Sequence, residues 1–106
     1  MALNDLSEDE KNIVFECLKA SAEGPFFPEW EFHLLFGINR EDIVQILSQL
    51  PDIDEQNEKV VLAVNNSMNN LTGYPHNCQN VWSSYISVSP ADVSRIFNKW
   101  RKGKTF

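Results

Sequence analysis

Four asparagines, Asn65, Asn66, Asn69 and Asn70, fall within one helix-length run from Val60 to Leu71, and Gly73-Tyr74-Pro75-His76 follows directly. Asparagine is a poor helix former, and a segment that needed only a wet face would carry Glu, Lys or Gln. What its carboxamide offers in return is a donor and an acceptor on one short side chain. On a helical wheel Asn65 and Asn69 lie side by side, Asn66 and Asn70 lie next to them, and Leu62 falls in the middle of the arc. A leucine centred among amides predicts a face covered by other chain, where every amide needs a partner. That partner is either the backbone of neighbouring loops, with residues 24–28 and 74–79 the candidates, or a bound polar ligand. The internal use is favoured, because buried polar groups are usually satisfied within the protein.

His33 and His76 are the two histidines. Glu29 and His33 stand one helical turn apart, a spacing that can hold a metal ion. Two ligands with no third group at suitable spacing make a weak signal, so neither a metal nor any other cofactor is expected. His76 follows the asparagine run in a loop, where function concentrates, and general acid or base work is the chemistry open to it. No Ser, Cys or carboxylate is tied to it by a nucleophile motif, and no residue is designated catalytic. Cys17 and Cys78 lie outside any C-x-x-C or His-paired spacing and read as free thiols. Asn65-Asn66-Ser67 and Asn70-Leu71-Thr72 match the glycosylation sequon but lack a secretion signal to give them meaning.

The run from Phe32 to Leu47 has the outline of a DNA-binding helix-turn-helix, with Phe36-Gly37-Ile38 as the turn and Ile43 and Ile46 as inward positions of the second helix. Its departures count for more. His33 stands where a small residue is wanted, and the reading helix would present Arg40, Glu41, Asp42, Gln45, Ser48 and Gln49. Two carboxylates at a helix start would face phosphate, and one Arg cannot offset them, so nucleic acid is disfavoured as a partner.

These residues must be positioned by the rest of the chain. At 106 residues it fits one domain, 1–106, able to bury roughly two-thirds of its unfolded surface. With 42% hydrophobic residues, seven Phe and three Trp, a folded core is favoured over disorder. The first twenty residues are acidic and amphipathic, without a basic leader or continuous apolar run, and no stretch approaches a membrane span; a cytoplasmic location is expected. Fifteen carboxylates and four basic groups give residues 1–94 a charge of −11, while Arg95, Lys99, Arg101, Lys102 and Lys104 give residues 95–106 a charge of +5. An acidic body repels nucleic acid and anionic membrane, and a basic end is favourable at a helix C-terminus.

Ser7-Glu8-Asp9-Glu10 is a capping box that opens a helix running to about Ala22 on Ile13, Val14, Cys17 and Leu18. Gly24-Pro25-Phe26-Phe27-Pro28 breaks it, with the two phenylalanines expected to fold back and be buried. Pro28 is placed as the first residue of a second helix that ends at Gly37. This short helix is apolar nearly all round, with Trp30 and Leu34 on one side, Leu35 on another, and Phe32 and Phe36 on a third, so it is expected at the centre of the bundle. Asn39 caps a third helix whose stripe of Ile43, Val44, Ile46, Leu47 and Leu50 lasts until Pro51. An acidic linker, Asp52 to Glu58, precedes a fourth helix from about Gln56 to Thr72, with Val60, Val61, Val64, Met68 and Leu71 on one arc and Gly73 as the stop. Residues 76–88 fit a short helix or an extended segment, with Trp82, Tyr85, Ile86 and Val88 in the core. Ser89-Pro90-Ala91-Asp92 opens the last helix, on Val93, Ile96, Phe97 and Trp100.

The segments Gly24-Pro25-Phe26-Phe27-Pro28-Glu29-Trp30-Glu31-Phe32-His33, Leu35-Phe36-Gly37, Asn65-Asn66, Asn69-Asn70-Leu71 and Gly73-Tyr74-Pro75-His76 together resemble a family of small uncharacterised bacterial proteins. The likeness covers nearly all of the chain. It implies a bacterial cytoplasmic protein and carries over no mechanism, ligand or catalytic residue.

The expectation is therefore an all-α, single-domain bundle of about five helices, with the second and fourth at its centre. Its expected role is a non-enzymatic binding or regulatory module. The recognition surface is placed where the 24–28 loop, the end of the fourth helix and the 74–76 loop would meet. Trp30, His33, Asn66, Asn69, Tyr74 and His76 are its candidate contacts, suited to a protein, a peptide or a small polar ligand. An acidic body would also suit a basic protein partner, as in a small inhibitor or immunity protein. The alternatives are the helix-turn-helix regulator and a small enzyme or ligand-binding protein built on His76 and the amides.

Overall fold

A computed structural model of the chain describes residues 3–102, and among these the ordered elements are all helical. A 3-10 turn at Leu3–Asp5 leads into α1 (Glu8–Glu23), followed by α2 (Glu29–Phe36), α3 (Arg40–Leu47) and α4 (Glu58–Gly73). A second 3-10 turn, Gln79–Val81, runs into α5 (Trp82–Tyr85), and α6 (Pro90–Lys102) closes the domain. The all-α reading holds, with six α-helices where about five were expected. The extra one comes from the stretch that periodicity could not decide.

The helix starts follow their local chemistry. Ser7 Oγ accepts from the Glu10 amide while a Glu10 carboxylate oxygen accepts from the Ser7 amide, so two otherwise orphaned donors satisfy each other's residue. Pro28 is the N-cap of α2 and not its first helical residue, and Asn57 caps α4 by accepting from the Lys59 amide. The stops are equally local. A Cβ on Gly24 would lie 2.6 Å from the Ala20 carbonyl oxygen and 2.9 Å from the Phe26 ring, so only glycine ends α1 here. Gly37 ends α2 with a φ of 71°, the left-handed conformation that glycine adopts without cost. The third helix stops earlier than Pro51 requires, at Leu47. Val44 is 52% exposed and Leu50 half-buried, so the inward stripe of α3 is narrower than its apolar residues suggest.

α4 is the hub, packing against α1, α6, α2 and α3, and α1 packs in turn on α3, α5 and α6. Val14, Cys17 and Leu18 of α1, Val64 and Met68 of α4, and Val93, Ile96 and Trp100 of α6 are fully or almost fully buried, joined by Phe32, Phe36 and Ile43. Burial of side chains this size stabilises by roughly 1.5–3 kcal/mol each. The Cys17 thiol, desolvated there and with Glu16 beside it, has its pKa pushed far up and stays protonated.

The 24–28 loop folds back as its composition demanded. Phe26 packs its ring edge-on against His76, Trp82 and Tyr85, and Phe27 does the same against Phe32 and Phe36. Trp82 and Ile86 are core, and the Trp82 indole donates to the Val88 carbonyl, whereas Tyr85 lies at the surface. Two polar residues in the body have roles their segments did not advertise. Glu55, within the supposed linker, is buried and accepts from the Leu3 amide and the Trp100 indole. Glu10 accepts from Lys99 and Arg95, locking α1 to α6; these cations and its capping bond to Ser7 hold its carboxyl down at about 2. Arg101 lies over the Phe97 ring, and Lys104 is outside the described residues. No helix among the described residues is long and apolar enough to cross a membrane.

The position of α2 departs most from expectation. It packs on α4 through Phe32 and Phe36 but leaves Trp30 76% and Leu34 81% exposed, so it lies at the rim of the bundle and not at its centre.

Candidate functional site

The amides of α4 reach α2. Asn66 donates to the Phe36 carbonyl and Asn70 to the Leu35 carbonyl, at 2.9 and 3.0 Å, and Asn65 donates to the side-chain oxygen of Asn66. Phe36 and Leu35 are the last residues of α2, whose carbonyls have no partner within their own helix. The asparagines therefore cap the C-terminus of α2 from a neighbouring helix. Donors aimed at that end also complement its negative partial charge. Asn70 is buried, Asn65 and Asn66 are half-buried, and Asn69 alone of the four points to solvent. Leu62, the leucine centred in the amide arc, lies against Gly37, so α2 is the chain that covers this face.

Further contacts pin the other faces of α2. The Tyr74 hydroxyl donates to Glu31, and because a phenolate there would face that carboxylate, its pKa is raised. Arg40, at the start of α3, turns inward and donates to the Ser21, Ala22 and Phe27 carbonyls. It pairs with Glu29 at 2.8 Å and lies 4.3 Å over the Phe32 ring. One guanidinium thus caps the end of α1, anchors the 24–28 loop and holds the first turn of α2. One hint of this role is visible in the sequence. A cation in the first turn of a helix opposes the dipole, which is reason to look for a partner elsewhere. His33 is exposed, with Nδ1 at 3.1 Å from the Asn39 side-chain oxygen, and Asn39 donates its amide to Asp42. That bond, with Lys59 at 3.0 Å, lowers the Asp42 pKa.

His76 is fixed through both ring nitrogens. Nδ1 accepts from the Cys78 amide and Nε2 donates to the Leu71 carbonyl, which defines a neutral tautomer wedged between Phe26 and Trp82. In this geometry it has neither a lone pair nor a proton to offer a substrate. Cys78 sits beside it, its thiol 3.5 Å from the Pro25 carbonyl. The 24–28 loop, the end of α4 and the 74–76 loop do meet, and what joins them is interior packing.

Among the six residues singled out by sequence, then, Trp30, His33 and Asn69 are exposed, while Asn66, Tyr74 and His76 spend their polar groups on the protein. Leu34 belongs with the exposed set. Sequence patterning missed it because α2 is apolar nearly all round, and its few polar residues do not say which apolar arc faces outward. Trp30, His33, Leu34 and Gly37 recur at i, i+3, i+4 and i+7 and so form one stripe along the outer face of α2.

The other chemistries find less support. Glu29 and His33 have separate partners in Arg40 and Asn39, and no group of three or more His, Cys, Asp or Glu suited to a metal ion occurs among the described residues. α3, the would-be reading helix, packs on α1 and presents Glu41, Val44 and Gln45, its one Arg being turned inward. An open recess of about 450 Å³ lies between α1 and the start of α6, with Ile13 and Ile96 in its floor and Asp9, Asn12, Glu16 and Arg95 on its rim. None of the six lines it. Compared with family models, curated proteins and solved structures, the chain matches none.

Proposed function

We propose that this is a small, non-enzymatic protein-binding module of the cytoplasm, and that its contact surface is the outer face of α2. The observation that carries the reading is a helix fastened on its inner side by Phe32 and Phe36 that leaves its one tryptophan and a leucine turned to water. Arg40, Tyr74, Asn66 and Asn70 fasten α2 at both ends and along its inner face, yet Trp30 and Leu34 remain 76% and 81% exposed. Tryptophan is the residue most enriched at the energetic centres of protein interfaces, and a preorganised helix loses little entropy on binding. Covering these two side chains would remove on the order of 300 Å² of apolar surface, worth roughly 7 kcal/mol before association costs. His33, on the same stripe, supplies a polar contact beside them, and Asn69 is an exposed amide on the neighbouring α4. Asn66 and Tyr74 position the surface from behind, and His76 is part of the interior packing around Phe26 and Trp82.

The test is the paired substitution Trp30→Ala and Leu34→Ala. Because both side chains already face solvent, the melting temperature of the double variant should move by no more than about 5 °C, as for two ordinary surface changes. Chemical cross-linking in the native host should lose the adduct that the wild-type chain forms. A variant that melts far lower, or one that keeps the same adduct, would remove the outer face of α2 from consideration.

A further inference from the structure

Resting on that reading of α2, we infer that the partner is a short amphipathic helix whose apolar stripe is flanked by lysine or arginine. Two observations narrow the occupant to this chemistry, and the first is area. The apolar centre is one helical turn long, since Trp30 and Leu34 are i and i+4 neighbours about 6 Å apart. A stable globular interface takes roughly 800 Å² from each partner, far more than this stripe supplies. A single helix laid across it needs only two or three apolar anchors and a polar rim.

The second observation is charge. Glu29 stands at the head of the stripe with its side chain 74% exposed, and Glu41 is exposed in the first turn of α3, which Arg40 ties to Glu29. Glu31 and Asp42 lie behind them, held by Tyr74 and Lys59. Of the cations close by, Arg40 has only 19% of its side chain exposed and is occupied with three carbonyls and Glu29, while Lys59, with 61% of its side chain exposed, is paired with Asp42 and offsets one carboxylate. Four carboxylates against two cations leave this region net acidic, within a chain of net charge −6. A second copy of this chain would bring the same carboxylates and the same net charge to the contact, which opposes self-association. A cationic helix would lower the potential of the rim while its leucines cover Trp30 and Leu34.

Trp30 supplies its own readout, because Trp82 and Trp100 are buried and only Trp30 is open to a soluble quencher. The probes are two synthetic sixteen-residue helices with one leucine stripe, the remaining positions lysine in one and glutamate in the other. The lysine helix should shield Trp30 from acrylamide and bind roughly tenfold tighter than the glutamate helix, with the advantage falling several-fold between about 50 and 500 mM salt. Leu34→Gln, which changes no charge, should weaken that binding roughly tenfold while leaving the fold intact. Equal binding of the two helices would overturn the cationic partner and leave the α2 surface standing. Lysine-helix binding that Leu34→Gln does not weaken would overturn the α2 surface itself. Concentration-dependent self-association, abolished by Leu34→Gln, would assign the face to a second copy and refute the inference.

Discussion

Replacing Asn70 by alanine removes the donor that satisfies the Leu35 carbonyl at the end of α2, and the same change at Asn66 strips the Phe36 carbonyl. Each lost bond is worth about 1 kcal/mol net, and a carbonyl left dry and unpaired raises the cost to about 1–3 kcal/mol per site. Asn70, the more buried, should lie at the upper end and Asn66 at the lower, because water can reach Asn66 in part. The double variant should lose roughly 2–5 kcal/mol, which for a domain near 100 residues lowers the melting temperature by about 10–25 °C. Asn69→Ala is the internal control: same residue type, same helix, exposed, and expected to cost under about 0.5 kcal/mol. Asn70→Asp sharpens the test, since it keeps the shape but turns an acceptor toward the Leu35 carbonyl. Burial and that apposition raise the folded-state pKa of the new carboxyl, so the variant is most stable when protonated and loses stability as pH rises through that value. The assay is thermal and urea unfolding by circular dichroism across pH 4 to 8. Equal losses on alanine replacement at Asn69 and Asn70, or an Asn70→Asp variant that gains stability with pH, would refute the capping role.

Arg40→Ala should be among the most damaging single changes, at about 3–5 kcal/mol, because it strands three carbonyls at the end of α1 and in the 24–28 loop. Arg40→Lys should recover less than half of that loss, since a point charge cannot serve the same fork of acceptors; full recovery in urea melts would show that charge alone matters. Glu10 is held at about 2 in the fold against an ordinary value of 4.5, so its contribution is fully present above pH 4.5 and is lost as pH falls through 2. Melting curves between pH 5 and 2 should therefore slope less steeply in Glu10→Gln than in the wild-type chain, and parallel curves would contradict the Lys99 and Arg95 clamp.

Much of the architecture was legible because its signals are local. The Ser7 capping box, Pro90 after Ser89, and Gly24 and Gly37 as stops each act within a few residues, so reading along the chain finds them. The amide cluster was legible in kind, since Leu62 among four asparagines foretold a covered face. Which backbone it served was not, because the partners stand 30 and 35 residues away. Residues 76–88 resisted for a different reason. A four-residue helix is too short to repeat its pattern, and its conformation is held by Phe26 and by the indole bond of Trp82.

The sequence by itself determined that the chain is helical, where most helices begin and end, and that amides on a covered face must grip something, as Asn65, Asn66 and Asn70 do and the exposed Asn69 does not need to. Tertiary structure alone decided that α2 lies at the rim, that Trp30 and Leu34 face water, and that Arg40, Glu55 and His76 are internal struts. Capping and periodicity are set by neighbours three or four residues apart. A short helix apolar nearly all round has no preferred inward face until α4 and its amides choose one.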